Sequence, residues 1–313
     1  MTDLLFTIAI PVYNNEKTIK KAIASCLKQE TDINYELLIV DDASTDSIPQ
    51  ILAQYDDPQI RIITLDERVP LIENHNRCLK HALGKYIIFC HADDTLEDHA
   101  IETFARKLKE RNYPKKYIVW GHTMHQDYAR KAIYMAGFRY NEIAVGEFAP
   151  LMVLYRGGLQ PTGTCYSRDS FFEMGGFLKV DMNPSPSDMT TMIYLAMNGF
   201  RFEMIDEMVL NREYSSTSGQ ETGKTLYFDE LDDAFKYFIK KVDRQSITKL
   251  INITVMQKTK PYHFYYAISQ DDYHRKQIKP ILIKEIIKKP WILKGEMIQK
   301  IIKRLYFYYS TDK

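Results

Sequence analysis

Along the first part of the chain, short runs rich in β-branched and aromatic residues alternate with longer stretches whose apolar residues return every three or four positions. Leu5–Pro11, Tyr35–Val40, Arg61–Leu65 and Tyr86–Cys90 have strand length and are largely apolar throughout, as strands covered on both faces are. Between them, Glu16–Gln29 repeats through Ile19, Ala22, Ile23, Cys26 and Leu27, and Ile48–Tyr55 and Ile72–Leu83 carry the same helical spacing. Buried strands separated by helices imply crossover connections, and these join parallel neighbours. The expected fold class is therefore α/β, a Rossmann-like and mostly parallel sheet flanked by helices. A further helix is expected from near Leu96, with Thr95 and Asp98 forming its capping box.

Three of these strands end on polar clusters, Tyr13-Asn14-Asn15, Asp41-Asp42-Ala43-Ser44 and His91-Ala92-Asp93-Asp94. In a parallel sheet such ends share one rim, where open α/β folds bind their ligands. Adjacent carboxylates repel each other, and a fold accepts that cost most readily where a divalent cation or polar ligand sits against them. The plainer alternative is that Asp93 and Asp94 cap the helix expected from Leu96. Neither a glycine-rich dinucleotide fingerprint nor a Walker phosphate loop follows the first strand. A cation bridging phosphates to Asp93 or Asp94 would take the place of such a glycine cradle.

The 313 residues can form one large domain or a main domain with an appendage. The net charge of +1 hides an asymmetry: Phe235–Lys313 holds 18 Lys and Arg against 6 Asp and Glu, leaving 24 against 35 for the residues before it. We therefore separate residues 1–220 from a basic region, 221–313. In that region the spacing predicts helices over Tyr227–Val242, Ile247–Met256, Tyr262–Ile268, Ile278–Lys288 and Trp291–Tyr309. Basic amphipathic helices with Trp and Tyr suit a membrane surface, or a helical appendage packed on the first domain or on a second subunit of a homo-oligomer. No nucleic-acid motif accompanies the charge, so nucleic acid is not an expected partner. Cys26, Cys78, Cys90 and Cys165 lack paired spacing and read as reduced core residues. No run approaches the ~18 apolar residues of a membrane span, and Met1–Phe6 lacks the regions of a signal peptide, so a cytoplasmic location is expected.

Four motifs in order, Phe6-Thr-Ile-Ala-Ile-Pro11-Val-Tyr13-Asn14, Leu37-Leu-Ile-Val-Asp41-Asp42-Ala-Ser-Thr-Asp46, Asn74-His-Asn76-Arg77 running to Gly84, and His91-Ala-Asp93-Asp94, resemble the successive motifs of family 2 glycosyltransferases. The resemblance covers about residues 5–215. It implies the GT-A fold for the first domain, a nucleotide-sugar donor, and inversion at the sugar carbon. Pro11, Tyr13, Glu16, Asp41 and Asn76 would line the nucleoside pocket, with Asp41 bonding the base. Asp93 matches the second acid of the family's Asp-x-Asp motif, the one that reaches Mn2+ or Mg2+. His91 stands at the first acid, among the donor-binding residues, and Asp94 is a second candidate metal ligand.

Gly157–Arg168 followed by Gly175-Gly176-Phe177 resembles the family's acceptor-side strand and Gly-Gly-Phe element. Ser187-Asp188 then resembles its acid pair, which places Asp188 as catalytic base; a plain N-cap is the alternative, and one residue can do both. Asn211–Ser218 resembles the segment that closes over the diphosphate, with Arg212 as phosphate partner and Tyr214 in place of the usual His. The activity so implied is sugar transfer, with a UDP-sugar as first choice, to a glycan or lipid-linked acceptor in polysaccharide or cell-envelope synthesis. The basic helices would then hold the enzyme on the inner face of the membrane. Two other classes are weighed against it. A nucleotidyltransferase should carry a phosphate loop that Val12–Lys17 lacks, and a degenerate nucleotide-sugar-binding protein would explain His91, Ser187 and Tyr214.

Overall fold

The computed structural model describes residues 4–127, 132–136, 160–179, 188, 191–192, 194–195 and 198–214. The chain divides into two units, Met1–Lys224 and Thr225–Lys313. The second unit and its expected helices lie outside the described residues.

Strands β1 (Phe6–Val12), β2 (Tyr35–Asp41), β3 (Ile60–Thr64) and β4 (Tyr86–Phe89) form a parallel block in the order β3-β2-β1-β4. Phe6 stands opposite both Tyr35 and Tyr86. Every residue of β1, β2 and β4 is buried, which is why their sequences read as continuous apolar runs. Phe6, Ile8, Ile10, Leu37, Ile39 and Ile88 belong to one core cluster with Ile19, Ile23 and Cys26 of α1 (Ile19–Leu27). Ala9, Leu38, Val40, Ile87 and Phe89 belong to the other with Cys78 and Leu79 of α3 (Leu71–His81). The short α2 (Ile48–Leu52) leads to β3. All four cysteines are buried and free, and among the described residues no helix is long and apolar enough to cross a membrane.

Two features of this block place the site. The chain builds outward from β1 through β2 to β3 and then returns to β4 on the other side of β1, so the strand order reverses between β1 and β4. The crevice at the carboxyl ends of those two strands is where an open α/β sheet binds ligands. The return is tight: a Cβ on Gly84 would stand 2.4 Å from the Phe6 carbonyl carbon and 2.5 Å from the Thr7 nitrogen, so the turn into β4 requires glycine.

Beyond β4 the sheet is mixed. β8 (Thr164–Ser167) runs antiparallel to β4, β6 (Tyr117–Asp127) antiparallel to β8, and β9 (Arg201–Tyr214) parallel to β6, while β7 (Ala132–Ala136) pairs with β6. The expected parallel order thus holds for the first four strands. At the far end, β5 (Asp94–Leu96) pairs antiparallel with β9. Since β5 starts soon after β4 yet pairs with β9, the end of β9 must return to the carboxyl end of β4. Register shifts between Trp120 and Thr123 on β6 supply the bend.

This pairing corrects one expectation. Helix α4 spans Ala100–Glu110, with His99 at its N-cap, and does not begin near Leu96. The main chain of Asp94–Leu96 is matched with Leu210–Arg212, which delays the helix. Asp93, Asp94 and Thr95 are therefore not its caps.

Two buried acids away from the rim are well supplied with donors. Glu36, at the opposite end of β2, accepts hydrogen bonds from Thr7 Oγ1 at 2.6 Å, Leu83 N at 2.6 Å and Arg61 Nε at 3.0 Å. Glu203 takes two from Arg111, at 2.7 and 2.6 Å, and one from the Tyr117 hydroxyl.

Candidate active site

The loops after β1 and β2 are tied to each other. Asn14, at φ 51°, accepts from Thr45 N at 2.8 Å through Oδ1 and donates its own backbone N–H to Ser44 Oγ at 3.0 Å. Glu16 N donates to Asp46 Oδ2 at 2.9 Å and Ser47 N to Glu16 Oε2 at 3.0 Å; the Ser47 hydroxyl first, and then this N–H, hold the Glu16 carboxyl below its ordinary range. Ala43 adopts φ 54° between Asp42 and Ser44, a strained geometry for a residue with no polar side chain to favour it. The strained turn lets Ser44 N donate to Asp41 Oδ1 at 3.1 Å, while Asp41 Oδ2 remains buried without a hydrogen-bond partner. Pro11 is buried in β1, and the Arg68 guanidinium lies 4.0 Å from the Tyr13 ring centre. Asp42 accepts from Val69 N at 2.7 Å, and burial raises its carboxyl.

At the end of β4, His91, Asp93 and Asp94 each offer one ligand atom, all within 4.8 Å of one another. The Asp94 side chain is fully buried, and neither of its oxygens has a hydrogen-bond partner. The Arg212 Nε lies 3.9 Å from Asp94 Oδ1, across the β5–β9 ladder in which the two residues are paired. Burial pushes the Asp94 carboxyl up to about 7, against the pull of Arg212; Asp93 adds to the rise and the Thr162 hydroxyl opposes it. The contrast with Glu36 and Glu203 is one of contact: those acids accept close hydrogen bonds, whereas Asp94 has the Arg212 guanidinium at 3.9 Å and the Thr162 hydroxyl nearby but neither within hydrogen-bond geometry. Buried carboxylate oxygens without a hydrogen bond, beside a second acid, fit a hard divalent cation.

His91 is held by its neighbours. Its backbone N–H donates to Thr162 Oγ1 at 3.2 Å, its Nε2 stands 2.9 Å from His75 Nε2, and its Nδ1 lies 3.9 Å from Asp94 Oδ2. Burial, followed by the nearby His75 and Arg212, holds the His91 ring well below its ordinary value. Arg212 Nη1 also donates to Gln160 Oε1. The Asn76 amide is engaged at both ends, Nδ2 on Phe177 O at 2.9 Å and Oδ1 from Phe177 N at 2.8 Å. Gly176, at φ 71°, makes room for this bond, since a Cβ there would meet Asn76 Oδ1 at 2.3 Å.

Asp188 is helical and half-buried. The phenol of Tyr166 on β8, the strand next to β4, is raised chiefly by burial, and the charge of Asp188 adds to that. Ser187, the Ser215–Ser218 hydroxyls, Gly157–Leu159 and the loop 139–156 lie outside the described residues. Of the sequence-derived candidates, Asp41, His91, Asp93, Asp94 and Arg212 stand at this rim with polar atoms turned to it or to each other, while Glu16 and Asn76 tie loops together. Sequence reasoning gave no role to His75, Thr162, Gln160 or Arg68. The first three lie inside motifs quoted for other residues, and Arg68 follows β3, where no motif draws attention.

Residues 7–156 match Glycosyl transferase family 2. Over 117 residues the chain is 38% identical to the UDP-Glc:alpha-D-GlcNAc-diphosphoundecaprenol beta-1,3-glucosyltransferase WfgD of Escherichia coli, covering 37% of this chain and 46% of that one. The chain thus spans less than half the length of this curated relative. S. aureus TarS 1–349, solved in complex with UDP-GlcNAc, shares the fold with a TM-score of 0.58 at 17% identity over 92% of each chain. The mannosyltransferase PcManGT from Pyrobaculum calidifontis, solved in complex with GDP-Man and Mn2+, gives 0.57 at 16% identity over 100% of this chain and 87% of the other. At those identities the likeness is one of fold, and it agrees with the GT-A architecture that the motifs imply. The matched segment, the order of the motifs and the shared architecture agree: residues 7–156 are similar to glycosyl transferase family 2, on a GT-A fold.

Proposed function

We propose that the chain is a metal-dependent, inverting glycosyltransferase. It would move a sugar from a nucleoside diphosphate donor, a UDP-sugar before others, to a hydroxyl of a glycan or lipid-linked acceptor in polysaccharide or cell-envelope synthesis. The observation that carries this reading is the buried Asp94 carboxylate, without a hydrogen bond to either oxygen, beside Asp93 at the end of β4 where the strand order reverses. Support for UDP comes from relatives whose names include UDP-Glc and UDP-GlcNAc.

In this reading the nucleoside lies against Pro11 and Tyr13, and Asp41 Oδ2 accepts from a base N–H. Asp93 and Asp94 would hold Mn2+ or Mg2+, which when bound neutralises charge on the diphosphate. Arg212 adds a fixed fork of donors for phosphate oxygens. Asp188 takes the proton of the acceptor hydroxyl while that oxygen attacks the anomeric carbon. The bond from that carbon to the diphosphate oxygen breaks with its electron pair on the leaving group, and one displacement inverts the centre. Glu16 and Asn76 act by holding the loops that carry these groups. The basic region 221–313 would hold the enzyme on the inner membrane face or join a second copy.

The test is a panel of UDP-, GDP- and dTDP-sugars incubated with the full chain and Mn2+, following release of the nucleoside diphosphate. Release from a UDP-sugar, abolished by Asp188→Asn with sugar-nucleotide affinity by calorimetry nearly intact, is the expected result. Binding without any release in the wild-type chain would overturn the enzymatic reading in favour of a nucleotide-sugar-binding protein, and normal turnover in the variant would remove Asp188 from its role.

A further inference from the structure

His75 sits on α3 with its ring 5.3 Å from that of Phe89 and 5.5 Å from that of Phe177, and its Nδ1 lies 2.8 Å from the Leu71 carbonyl oxygen. A carbonyl oxygen only accepts, so in this network the His75 hydrogen is on Nδ1. Packed against Phe89 and Phe177, the neutral ring with its hydrogen on Nδ1 has a bare lone pair on Nε2. That lone pair faces His91 Nε2 at 2.9 Å, so the hydrogen in this contact belongs to His91. A neutral imidazole carries one ring hydrogen, and the Nδ1 of His91 is therefore a second lone pair. It lies 3.9 Å from Asp94 Oδ2, beyond hydrogen-bond length. His91, Asp93 and Asp94 each bring one ligand atom within 4.8 Å of the others, His91 Nδ1 faces Asp94, and the side chain of Asp94 is fully buried with neither oxygen hydrogen-bonded.

We propose that His91 Nδ1 is a direct ligand of the divalent cation, and that His75 is the positioning residue that locks His91 in the tautomer able to serve. The proposal rests on the cation site of the transferase reading and adds the ligand that discriminates among ions. Mg2+ prefers an all-oxygen octahedral shell, whereas imidazole nitrogen favours first-row transition ions. Metal-bound histidines commonly have their second ring nitrogen fixed by a carboxylate, carbonyl or water. Here a second imidazole fixes it, and that imidazole is itself anchored by the Leu71 carbonyl. The chain Leu71 carbonyl, His75, His91, cation is a run of aligned hydrogen bonds with one polarity.

The experiment uses the full chain labelled with 15N-histidine, with Mn2+ and UDP added, and reads nitrogen coupling to Mn2+ by pulsed electron paramagnetic resonance. Direct 15N coupling in the wild-type chain, lost in His91→Asp although Mn2+ still binds, is the expected result. His75→Phe should weaken Mn2+ binding by about 10-fold with the circular dichroism spectrum unchanged. His91→Asp should narrow the preference for Mn2+ over Mg2+ measured by calorimetry. If either variant fails to fold, long-range 1H–15N spectra of the metal-free wild-type chain decide: His91 with its hydrogen on Nε2 and His75 with its hydrogen on Nδ1 support the proposal, and His91 with its hydrogen on Nδ1 overturns it. Bound Mn2+ without nitrogen coupling overturns the proposal and leaves the transferase reading standing. Absence of Mn2+ binding in the presence of UDP overturns the cation site of both.

Discussion

Replacing Asp94 by Asn should stabilise the metal-free protein above neutral pH and at the same time remove its response to Mn2+. The Asp94 carboxyl, raised mainly by burial, titrates at about 7 in the fold against a reference of 3.8. The folded state therefore keeps a proton that the unfolded chain has already released between those two values. Stability from this group is greatest below 3.8, falls as pH rises through the window, and is at its lowest above 7, where the folded carboxylate is ionised in a buried site that Arg212 and Thr162 only partly offset. At about 1.4 kcal/mol per unit, the full cost is about 4 kcal/mol. Asparagine has nearly the same shape and is neutral at every pH, so Asp94→Asn should gain about 4 kcal/mol at about pH 8 and close to nothing at about pH 4. For a domain of this size that gain corresponds to a rise in Tm of about 8–16 °C. The assay is thermal unfolding by circular dichroism in chelator at both pH values, repeated with Mn2+. Mn2+ should raise the wild-type Tm by mass action and leave that of the variant unmoved. A variant no more stable than wild type at the higher pH would refute the claim that the fold stores an uncompensated carboxylate at the end of β4.

Other outcomes follow from the same geometry. Glu36→Gln removes the anion that pairs with Arg61 at 2.9 Å and should cost about 2–3 kcal/mol by urea unfolding. Because Glu36 stands about 16 Å along β2 from Asp41, UDP and Mn2+ affinities should not change; a loss of either would mean that the two ends of the strand are coupled. Asp41→Asn should weaken UDP about 10- to 100-fold by calorimetry with Mn2+ stabilisation of the fold retained, and equal UDP affinity would take Asp41 out of the base pocket. Gly84→Ala presses a methyl group onto the β1 main chain and should cost at least about 2 kcal/mol, seen as a lower urea midpoint with unchanged slope.

The parallel block was legible because β1, β2 and β4 are buried on both faces, so their sequences show apolar runs with helical spacing between. The rim was legible for a related reason: an acid at the end of such a run, as at Asp41 or Asp93, has no packing role to explain it. What the sequence concealed depends on long-range pairing. Thr95 and Asp98 make a credible capping box, and only the match of Asp94 to Arg212 on β9 turns that stretch into a strand. Asn76 reads as a pocket residue within its motif, but its amide meets Phe177, about a hundred positions away in sequence. His75 looks like an ordinary buried position on a helix until β4 brings His91 to its other nitrogen. The mixed half of the sheet was hidden because β6 and β9 are long strands bent by irregular register, which blurs the alternation that would announce them.

A cation and a nucleoside diphosphate should meet at the carboxyl end of β4. Anomalous diffraction at the manganese edge, from a crystal of this chain grown with UDP and Mn2+, locates both. One strong peak is expected among His91, Asp93 and Asp94, with the diphosphate against it and the uracil at Asp41. A peak elsewhere, or UDP bound away from this rim, would rule the site out.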